Sequence, residues 1–526
     1  MKLLKEFEST KFYLYLLLGV AGLILVAHLG LPPLWGSEGR WAVIARSMLQ
    51  SGALFCPRLG FYDYWDKPLL SYWQVLPLSY INGDVSEFTA RFPSVVWAVV
   101  MLLLTHNLAK KWFGERTALL SVGILATSFD FVFYGRDAQV EMTNATLILL
   151  CLWYFIKHKF DNRHTWVCVL GIMMALGANM KGLVLYAVPI FCIVLLSVIK
   201  REWSWIPPLR ILITAGLLSL AVFLAFPAAA SIHSATWKPL YMVWFENVLR
   251  FFGLYDHQAP FYTYFVKIFY LAAPWSLVLP FAIIHYLKGV RRRISQIPEV
   301  LILFGAIFLF FTLSGSRRSY YLLPILPFVA ILVASVLREF AVGTLGQRTQ
   351  DVVRTIGVLF GLVLIASFGV SFVLPRFVPG RIDVPWYAFV SLAFLGATMI
   401  VSTTKKYVWG IVGSVFAVWL LYVIVAIPLI VAGPNLRAKT SEVNALGRPY
   451  GFLNIDDAKI VFYLDKPYEF FYDKARALNW AKQAGGVLIT SSDFSDPSWE
   501  CAVKGHHWQA VIPRMNAPLN DSDISR

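Results

Sequence analysis

Six short clusters of charged and aromatic residues interrupt or adjoin the apolar runs of this sequence. They occupy residues 36–40, 64–68, 136–141, 181–182, 246–258 and 316–321. Charged side chains at the level of a membrane are costly to bury, so such clusters indicate function by default. Each cluster alone also has a simpler explanation, such as an exposed helix start, an interfacial ion pair or a snorkelling lysine. The prediction of chemistry therefore depends on the clusters taken together.

The cations of these clusters favour a ligand with an anionic group. Arg317 and Arg318 lie at the outer end of an apolar run, against the usual retention of cations on the inner side, and this favours anion binding. Several cations, a few carboxylates and His257 around a membrane-level cavity would suit an amphiphile with an anionic head group, best a lipid-linked phosphate. A soluble nucleotide-sugar enzyme would need a nucleotide-binding domain, and the sequence has no phosphate loop or dinucleotide fingerprint.

Membrane-spanning helices must hold these clusters, because 58% of the 526 residues are apolar and only 14% are charged. A helix needs about 20 apolar residues to cross the hydrocarbon, and runs of that length recur through the first 432 residues. We predict about thirteen spans. The first apolar run, residues 13–31, is too long for a signal peptide and predicts a retained anchor.

The net charge of +16, from 46 Lys and Arg against 30 Asp and Glu, follows the membrane topology. The basic residues occupy alternate short loops, which is typical of retention on the cytoplasmic side rather than of a nucleic-acid groove, so we expect no nucleic-acid partner. This pattern predicts a cytoplasmic N-terminus and two long external loops, at about residues 32–91 and 232–264. Residues 37–52 within the first loop predict a helix along the membrane surface, with Ser37 as its N-cap and Gly52 as its end.

The composition changes after Gly433, where Asp, Lys, Gly and Ser become common and strand-like runs appear at residues 458–464 and 486–490. We therefore predict a transmembrane domain over residues 1–432 and a small external α/β domain over residues 433–526. The predicted fold class is a polytopic α-helical membrane protein of about thirteen transmembrane helices, with external juxtamembrane helices and a soluble C-terminal α/β domain.

The order and spacing of the clusters resemble the aminoarabinose (lipid A) transferases and related C-type membrane glycosyltransferases, which include the protein O-mannosyltransferases. The resemblance covers roughly residues 10–330. Ser37-Glu38-Gly39-Arg40-Trp41 is similar to a family motif of Asp-Glu, one spacer, Arg and an aromatic residue. Tyr64-Trp65-Asp66-Lys67-Pro68 is similar to the family's Tyr-Phe-Glu-Lys-Pro. Three further matches are Lys181-Gly182 with a Lys-Gly motif, residues 251–261 with a histidine loop and residues 320–324 with a Tyr-Ile-Leu-Pro run.

The resemblance implies a GT-C-type glycosyltransferase in the bacterial inner membrane, with its active face and C-terminal domain in the periplasm. It implies transfer of a sugar from a polyprenyl-phosphate carrier to lipid A or another cell-envelope acceptor by a single inverting displacement. The expected partners are the lipid-linked donor, a lipid A, glycan or protein acceptor, and membrane lipids. One alternative is a mannosyl- or glucosyltransferase that acts on protein or polysaccharide. Another is a non-catalytic binder of polyprenyl-phosphate sugars or a flippase.

The resemblance also implies roles for residues, with one departure from the family pattern. Ser37 stands where the family has its catalytic aspartate, and serine cannot act as a general base. Glu38 is the preferred replacement, since a carboxylate beside a desolvated cavity can have its pKa raised toward a useful value. Glu141 and Asp137 are the other catalytic candidates. Two alternatives need no such base: the acceptor is nucleophilic enough to need little help, or the chain is inactive.

The remaining implied residues would bind the lipid phosphate or a metal. The expected phosphate ligands are Arg40, Tyr64, Lys67, Lys181, Arg317, Arg318 and Tyr321. Asp66 and His257 match positions that hold a divalent metal in the relatives, and a His-carboxylate pair would suit zinc or manganese. Two ligands make a weak site, so such a metal would be auxiliary.

Overall fold

The computed structural model describes residues 2–60, 62–161, 165–245, 259–289, 296–315, 317–377, 385–433, 435–455 and 457–514. The elements of the first part of the chain are α1 (Lys2–Val26), α2 (Glu38–Ser51), β1 (Arg58–Leu59), β2 (Tyr62–Asp63), α3 (Leu70–Trp73), α4 (Leu76–Asn82), α5 (Glu87–Phe113), α6 (Glu115–Ala126), α7 (Phe129–Gly135) and α8 (Glu141–His158). The middle part holds α9 (Thr165–Lys181), α10 (Val184–Lys200), α11 (Leu209–Ser234), α12 (Lys238–Trp244), α13 (Thr263–Leu271), α14 (Leu279–Gly289) and α15 (Glu299–Leu313).

A 3-10 segment, Ser319–Ile325, leads into the last helices of the apolar part of the chain. These helices are α16 (Leu326–Val342), α17 (Gln347–Phe377), α18 (Trp386–Thr404), α19 (Val408–Leu421) and α20 (Ile427–Ala432). The C-terminal unit, which we define as residues 435–514, contains α21 (Leu436–Ala445), β3 (Tyr450–Leu453), α22 (Ala458–Tyr463), β4 (Tyr468–Phe471), α23 (Lys474–Ala484), β5 (Val487–Ser491), β6 (Trp499–Lys504) and β7 (Trp508–Pro513).

The apolar helices give the chain the architecture of a polytopic membrane protein. Among the described residues, six helical segments are long and apolar enough to cross a membrane, and the bent pair of α6 and α7 makes a seventh if it forms one span. Five shorter apolar helices accompany them in the same ranges. Their inward faces share one large apolar core, while α11 leaves residues such as Leu217, 64% exposed, on the outside. The predicted helical membrane class is confirmed, and the number of thirteen spans stays a prediction.

The predicted helix between Ser37 and Gly52 is confirmed as α2. Gly52 ends it in the left-handed conformation, at φ +70°, and donates its N–H to the Met48 carbonyl. The Ser37 side chain makes no capping hydrogen bond. Trp41 and Ile44 are buried in an apolar cluster of their own, which includes residues from α3 and α22. The position of α2 on a membrane surface stays a prediction.

The C-terminal unit is built on a five-stranded mixed sheet of order β4-β3-β5-β7-β6. β3 pairs in parallel with β4 and β5, and β7 pairs antiparallel with β5 and β6. The strand predicted near residues 486–490 corresponds to β5.

The predicted strand over residues 458–464 is wrong, because that run forms α22. The Asp457 carboxylate caps the helix by accepting the Lys459 N–H at 3.0 Å. Apolar residues of the run pack into two different clusters on either side of the helix, and this tertiary packing overrides the strand propensity of the sequence.

Candidate active site

A cavity of about 530 Å³ lies between α2, the start of α8, the end of α9, α11 and α12. Its polar and charged lining residues are Ser37, Arg40, Asp66, Lys67, Gln139, Glu141, Asn144, Asn179, Lys181, Ser314, Arg318, Tyr320 and Tyr321. Apolar side chains such as Trp41, Phe223 and Phe311 form the rest of the wall. A cavity of this kind can hold the charged head group of an amphiphile and the first part of its chain.

Arg40 stands on one wall of the cavity at the start of α2. Its Nη1 donates to the Tyr64 hydroxyl at 2.7 Å, and its Nη2 donates to Ser37 Oγ at 3.0 Å. Among the described residues, no carboxylate forms an ion pair with Arg40. Two neutral hydroxyl oxygens therefore fix the Arg40 guanidinium beside the cavity without neutralising its charge.

Tyr64, a predicted phosphate ligand, is not among the lining residues of the cavity. It supports the site through its hydrogen bond to Arg40. Burial, with a smaller contribution from Asp66, raises the pKa of Tyr64 to about 12, although Arg40 acts in the opposite direction. The phenol is therefore neutral at physiological pH.

Lys181 also lines the cavity, at the last position of α9. Gly182 ends that helix with φ +106° and donates its N–H to the Ala178 carbonyl at 2.7 Å. The Lys181 ammonium forms an ion pair with the Glu141 carboxylate and lies 5.0 Å from the ring centroid of Tyr320. The side chains of Lys181 and Glu141 are 14% and 6% exposed, so this pair is a buried acid–base couple that faces the cavity.

Lys67 and Arg318 add two further cations to the cavity. Lys67 Nζ donates to the Asp66 carbonyl at 3.2 Å, and Arg318 Nη1 donates to the Tyr320 hydroxyl at 2.7 Å. Tyr321 lines the same wall as Arg318. Four cations and two carboxylates therefore line the cavity within the described part of the chain, and this excess of positive charge suits an anionic ligand.

The Glu38 carboxylate is held away from the cavity. Arg91 donates to both of its oxygens, from Nε at 2.8 Å and from Nη2 at 2.7 Å. The backbone N–H groups of Trp35 and Ala138 donate to the same carboxylate, each at 2.9 Å. Glu38 is fully buried and is absent from the cavity lining. The geometry therefore does not support the predicted preference for Glu38 as the base and gives it a structural role.

Asp137 is also buried outside the cavity. One of its carboxylate oxygens accepts from Gln139 Nε2 at 2.9 Å. Burial, together with the nearby Glu38 and Glu141 carboxylates, raises the pKa of Asp137 well above its usual value. Of the three predicted catalytic carboxylates, only Glu141 lines the cavity.

Like Tyr64, Arg317 does not join the other predicted phosphate ligands in the cavity lining. Its guanidinium donates to the backbone carbonyls of Ala259 and Thr312, and it does not line the cavity.

The predicted metal ligands are described only in part. Asp66 lines the cavity, but its expected metal partner His257 lies outside the described residues. The described ranges contain no cluster of three or more His, Cys, Asp or Glu side chains with the arrangement of a metal site. The zinc or manganese site stays a prediction.

Several polar residues in or beside the site were not among the predicted site residues. Asn144 lies three residues after Glu141, on the same face of α8, and this spacing could have identified it. Its Oδ1 is buried and has no hydrogen-bond partner in the described part of the chain. Gln139 lies within the predicted cluster 136–141 but was not selected from it, and Asn179 carried no signal beyond its polarity. Arg91, the partner of the Glu38 carboxylate, lies where the predicted external loop meets an apolar run, is buried at 3% exposure, and was a usable signal as a charge at that boundary.

The chain is similar in sequence to known membrane transferases. A family model described as dolichyl-phosphate-mannose-protein mannosyltransferase matches residues 66–228. The undecaprenyl phosphate-alpha-4-amino-4-deoxy-L-arabinose arabinosyl transferase of Serratia proteamaculans is 28% identical over 355 residues, which cover 64% of this chain and 61% of that protein. The transferase of the same name from Pectobacterium atrosepticum is 27% identical over 74% of this chain and 71% of its own length. A protein of Aquifex aeolicus is 30% identical over 69% of this chain and 72% of its own.

The fold has counterparts among solved structures. ArnT from Cupriavidus metallidurans, in a crystal structure bound to undecaprenyl phosphate, superposes with a TM-score of 0.73 over 96% of this chain and 99% of that one, at 18% identity. Its apo structure gives a TM-score of 0.71. At this identity the comparison establishes the fold.

Proposed function

Since the chain belongs to the family of aminoarabinose-transferase-like membrane glycosyltransferases, which is related to the O-mannosyltransferases, we propose a specific activity for it. The protein moves a sugar from a polyprenyl-phosphate carrier to lipid A or another acceptor of the cell envelope. Two of the relatives are named as arabinosyl transferases of undecaprenyl phosphate-alpha-4-amino-4-deoxy-L-arabinose. The sugar and the acceptor of this chain are part of the proposal.

The observation that carries this proposal is the composition of the cavity wall. Arg40, Lys67, Lys181 and Arg318 converge on one space that apolar side chains of α11 and α12 also line. A phosphate on a hydrocarbon chain needs cations to bind the phosphate and apolar side chains to bind the hydrocarbon. Cations held in a partly desolvated cavity stabilise the charge that develops on a departing phosphate more strongly than they would in water.

We propose that Glu141 is the general base. The acceptor hydroxyl attacks the anomeric carbon and gives its proton to Glu141, while the bond from that carbon to the phosphate oxygen breaks and the phosphate leaves with the electron pair. Lys181 links the two events, because it pairs with Glu141 and faces the site of the anion. The single displacement inverts the anomeric centre.

We propose the periplasmic face for this site. Three lysines from different short basic loops, which the sequence predicts to be cytoplasmic, lie at the far ends of the helices. Lys111 donates to a carbonyl at the end of α8, Lys159 pairs with Glu299 at 2.5 Å, and Lys200 donates to a carbonyl just before α15. Their convergence supports one common cytoplasmic face, and the cavity lies at the opposite ends of α8, α9 and α15. Retention of cations on the inner side then supports an external position for the cavity.

The test is a mass comparison of envelope glycolipids from cells with and without the protein. We expect a sugar-sized mass to disappear with the gene, to return with the wild-type chain and to stay absent with Glu141→Gln. Lys482→Ala, on the exposed surface of α23, is the matched control and should restore the mass. An unchanged glycolipid profile in the cells without the protein would contradict lipid A as the acceptor.

A second candidate is mannosyl or glucosyl transfer to protein or polysaccharide. The match of residues 66–228 to the protein mannosyltransferase model favours it. The same cells decide between the two, because this candidate predicts a hexose lost from glycoproteins or polysaccharide and not from lipid A. A non-catalytic binder or a flippase is disfavoured, since members of the family are transferases.

A further inference from the structure

The C-terminal unit reaches the candidate active site through one short helix, α22. Ile460 on one side of α22 packs into the apolar core beneath the sheet. Ala458 and Phe462 belong to a different apolar cluster, which contains Trp41 and Ile44 of α2. The same helix thus packs into the core of the C-terminal unit and into the core around α2. A displacement of α22 would therefore disturb both cores.

The backbones of α22 and α2 approach each other closely at Gly39. A Cβ atom at this position would lie 2.6 Å from the backbone nitrogen of Lys459 and 2.8 Å from the carbonyl carbon of Ala458. Both atoms belong to backbone, which cannot move aside as the end of a flexible side chain can. Gly39 lies within the regular part of α2, so the glycine is required here for space.

Polar contacts fix α22 at either side of this approach. Arg46, two turns along α2, donates from Nη1 to the Phe462 carbonyl at 2.7 Å, and its guanidinium lies 3.9 Å from the centroid of the Phe462 ring. The Tyr463 hydroxyl accepts from the backbone N–H of Leu34 at 2.8 Å and donates to Glu87 Oε1 at 2.9 Å. The contacts therefore hold both the segment that leads into α2 and the body of α2.

Gly39 directly precedes Arg40, whose guanidinium lines the cavity. Among the described residues of the C-terminal unit, none lines that cavity. We propose that α22 is a brace that sets the position of Arg40, so that Gly39 and Tyr463 are positioning residues of the transferase. The C-terminal unit then acts on the anion site through α2 and without contacting the substrate. This inference rests on the proposed function for what Arg40 binds.

The brace itself is tested without any ligand, by hydrogen–deuterium exchange on the full-length protein in detergent. We expect Gly39→Ala and Tyr463→Phe to raise exchange in the α2 peptide at least severalfold and to leave the α6 peptide unchanged. Gly22→Ala is the matched control, because it makes the same change in a helix where a Cβ meets no atom within 4 Å. Unaltered exchange of α2 in both brace variants would overturn the proposal.

The link to Arg40 is tested by binding of undecaprenyl phosphate, measured by native mass spectrometry. We expect Gly39→Ala to weaken binding about tenfold, as for loss of one charge-assisted hydrogen bond, and to change it less than about twofold in an Arg40→Ala background. A full additional tenfold loss in that background would overturn the proposal, because Gly39 would then act independently of Arg40. A wild-type chain that binds no undecaprenyl phosphate would instead contradict the proposed function, while the exchange experiment would still decide whether the brace exists.

Discussion

In the described part of the protein, two buried acid–base pairs lie at the same end of the helices, Arg91 with Glu38 and Lys181 with Glu141. We call the first pair closed, because hydrogen bonds to other protein groups surround both of its members. Arg91 donates to both Glu38 oxygens and to three backbone carbonyls between residues 29 and 33, and Glu38 accepts two backbone N–H groups as well. The second pair is open, because it faces a cavity. Burial and charge therefore do not by themselves identify a catalytic carboxylate. The carboxylate must also face a cavity that a substrate can enter.

The largest effect we expect is on the rate of transfer by Glu141→Gln. The amide keeps the shape of the side chain but cannot take the acceptor proton, so kcat should fall about 10²- to 10⁴-fold. The measurement is the initial rate with purified protein in detergent, followed by mass spectrometry of the glycosylated acceptor. The melting temperature of the same sample separates a chemical loss from an unfolded enzyme.

A Glu141→Gln variant that keeps more than half of the wild-type rate would contradict the contrast between the two pairs. The base would then lie elsewhere, or the acceptor would need none. Asn144→Ala serves as the companion variant, because it changes the same face of α8 without removing a carboxylate. We expect it to raise KM more than it lowers kcat, since an amide can hold a sugar hydroxyl but cannot act as a base.

The closed pair should instead govern stability. Arg91→Met leaves the Glu38 carboxylate buried without its counter-charge, and we expect a loss of about 3–5 kcal/mol in the free energy of unfolding. The double variant Arg91→Met with Glu38→Leu removes both charges and should recover part of that loss. Thermal unfolding of detergent-purified protein measures both. A double variant no more stable than the single one would mean that the lost backbone hydrogen bonds, and not the unpaired charge, carry the cost.

A smaller effect should follow from removing one cation of the open site. Lys67→Ala should weaken binding of undecaprenyl phosphate about tenfold, as for the loss of one charge-assisted hydrogen bond, with the melting temperature unchanged. Native mass spectrometry measures the affinity. Lys482→Ala, which removes an equal charge from the surface, controls for a general effect of net charge. Equal affinities of the two variants would remove Lys67 from the anion site.

Much of the architecture followed from the sequence because it depends on local composition. Apolar run lengths predicted the helical membrane class, and the segment from Ser37 to Gly52 predicted α2. The change of composition after Gly433 predicted strands in the last part of the chain, and the five-stranded sheet lies there. The strand prediction for residues 458–464 is wrong because the apolar residues of this run pack into two different cores. The hydrophobic periodicity of a single helix or strand cannot show that a segment packs on two sides.

The site was harder to predict, because the sequence motifs do not state which way a side chain points. The cations at positions 40, 67 and 181 and the carboxylate of Glu141 were identified from clusters, and the structure brings them to one cavity. Glu38 lies in the same motif as Arg40 but points to Arg91, a residue 53 positions along the chain. Such a partner can be found only through the tertiary contact.

The smallest effect concerns Tyr64, which holds Arg40 in the open site. Tyr64→Phe removes one hydrogen bond to Arg40 and should weaken undecaprenyl phosphate binding about fivefold, equivalent to about 1 kcal/mol.

Tyr64 should also make the stability of the protein depend on pH. The pKa of Tyr64 is raised to about 12, so its neutral form contributes in full to the free energy of unfolding below about pH 10, and this contribution is lost as the pH rises toward 12. The melting temperature of the wild-type chain should therefore fall more steeply above about pH 10 than that of Tyr64→Phe. Parallel pH curves for the two proteins would contradict this assignment, because all other tyrosines are common to both and cancel in the difference.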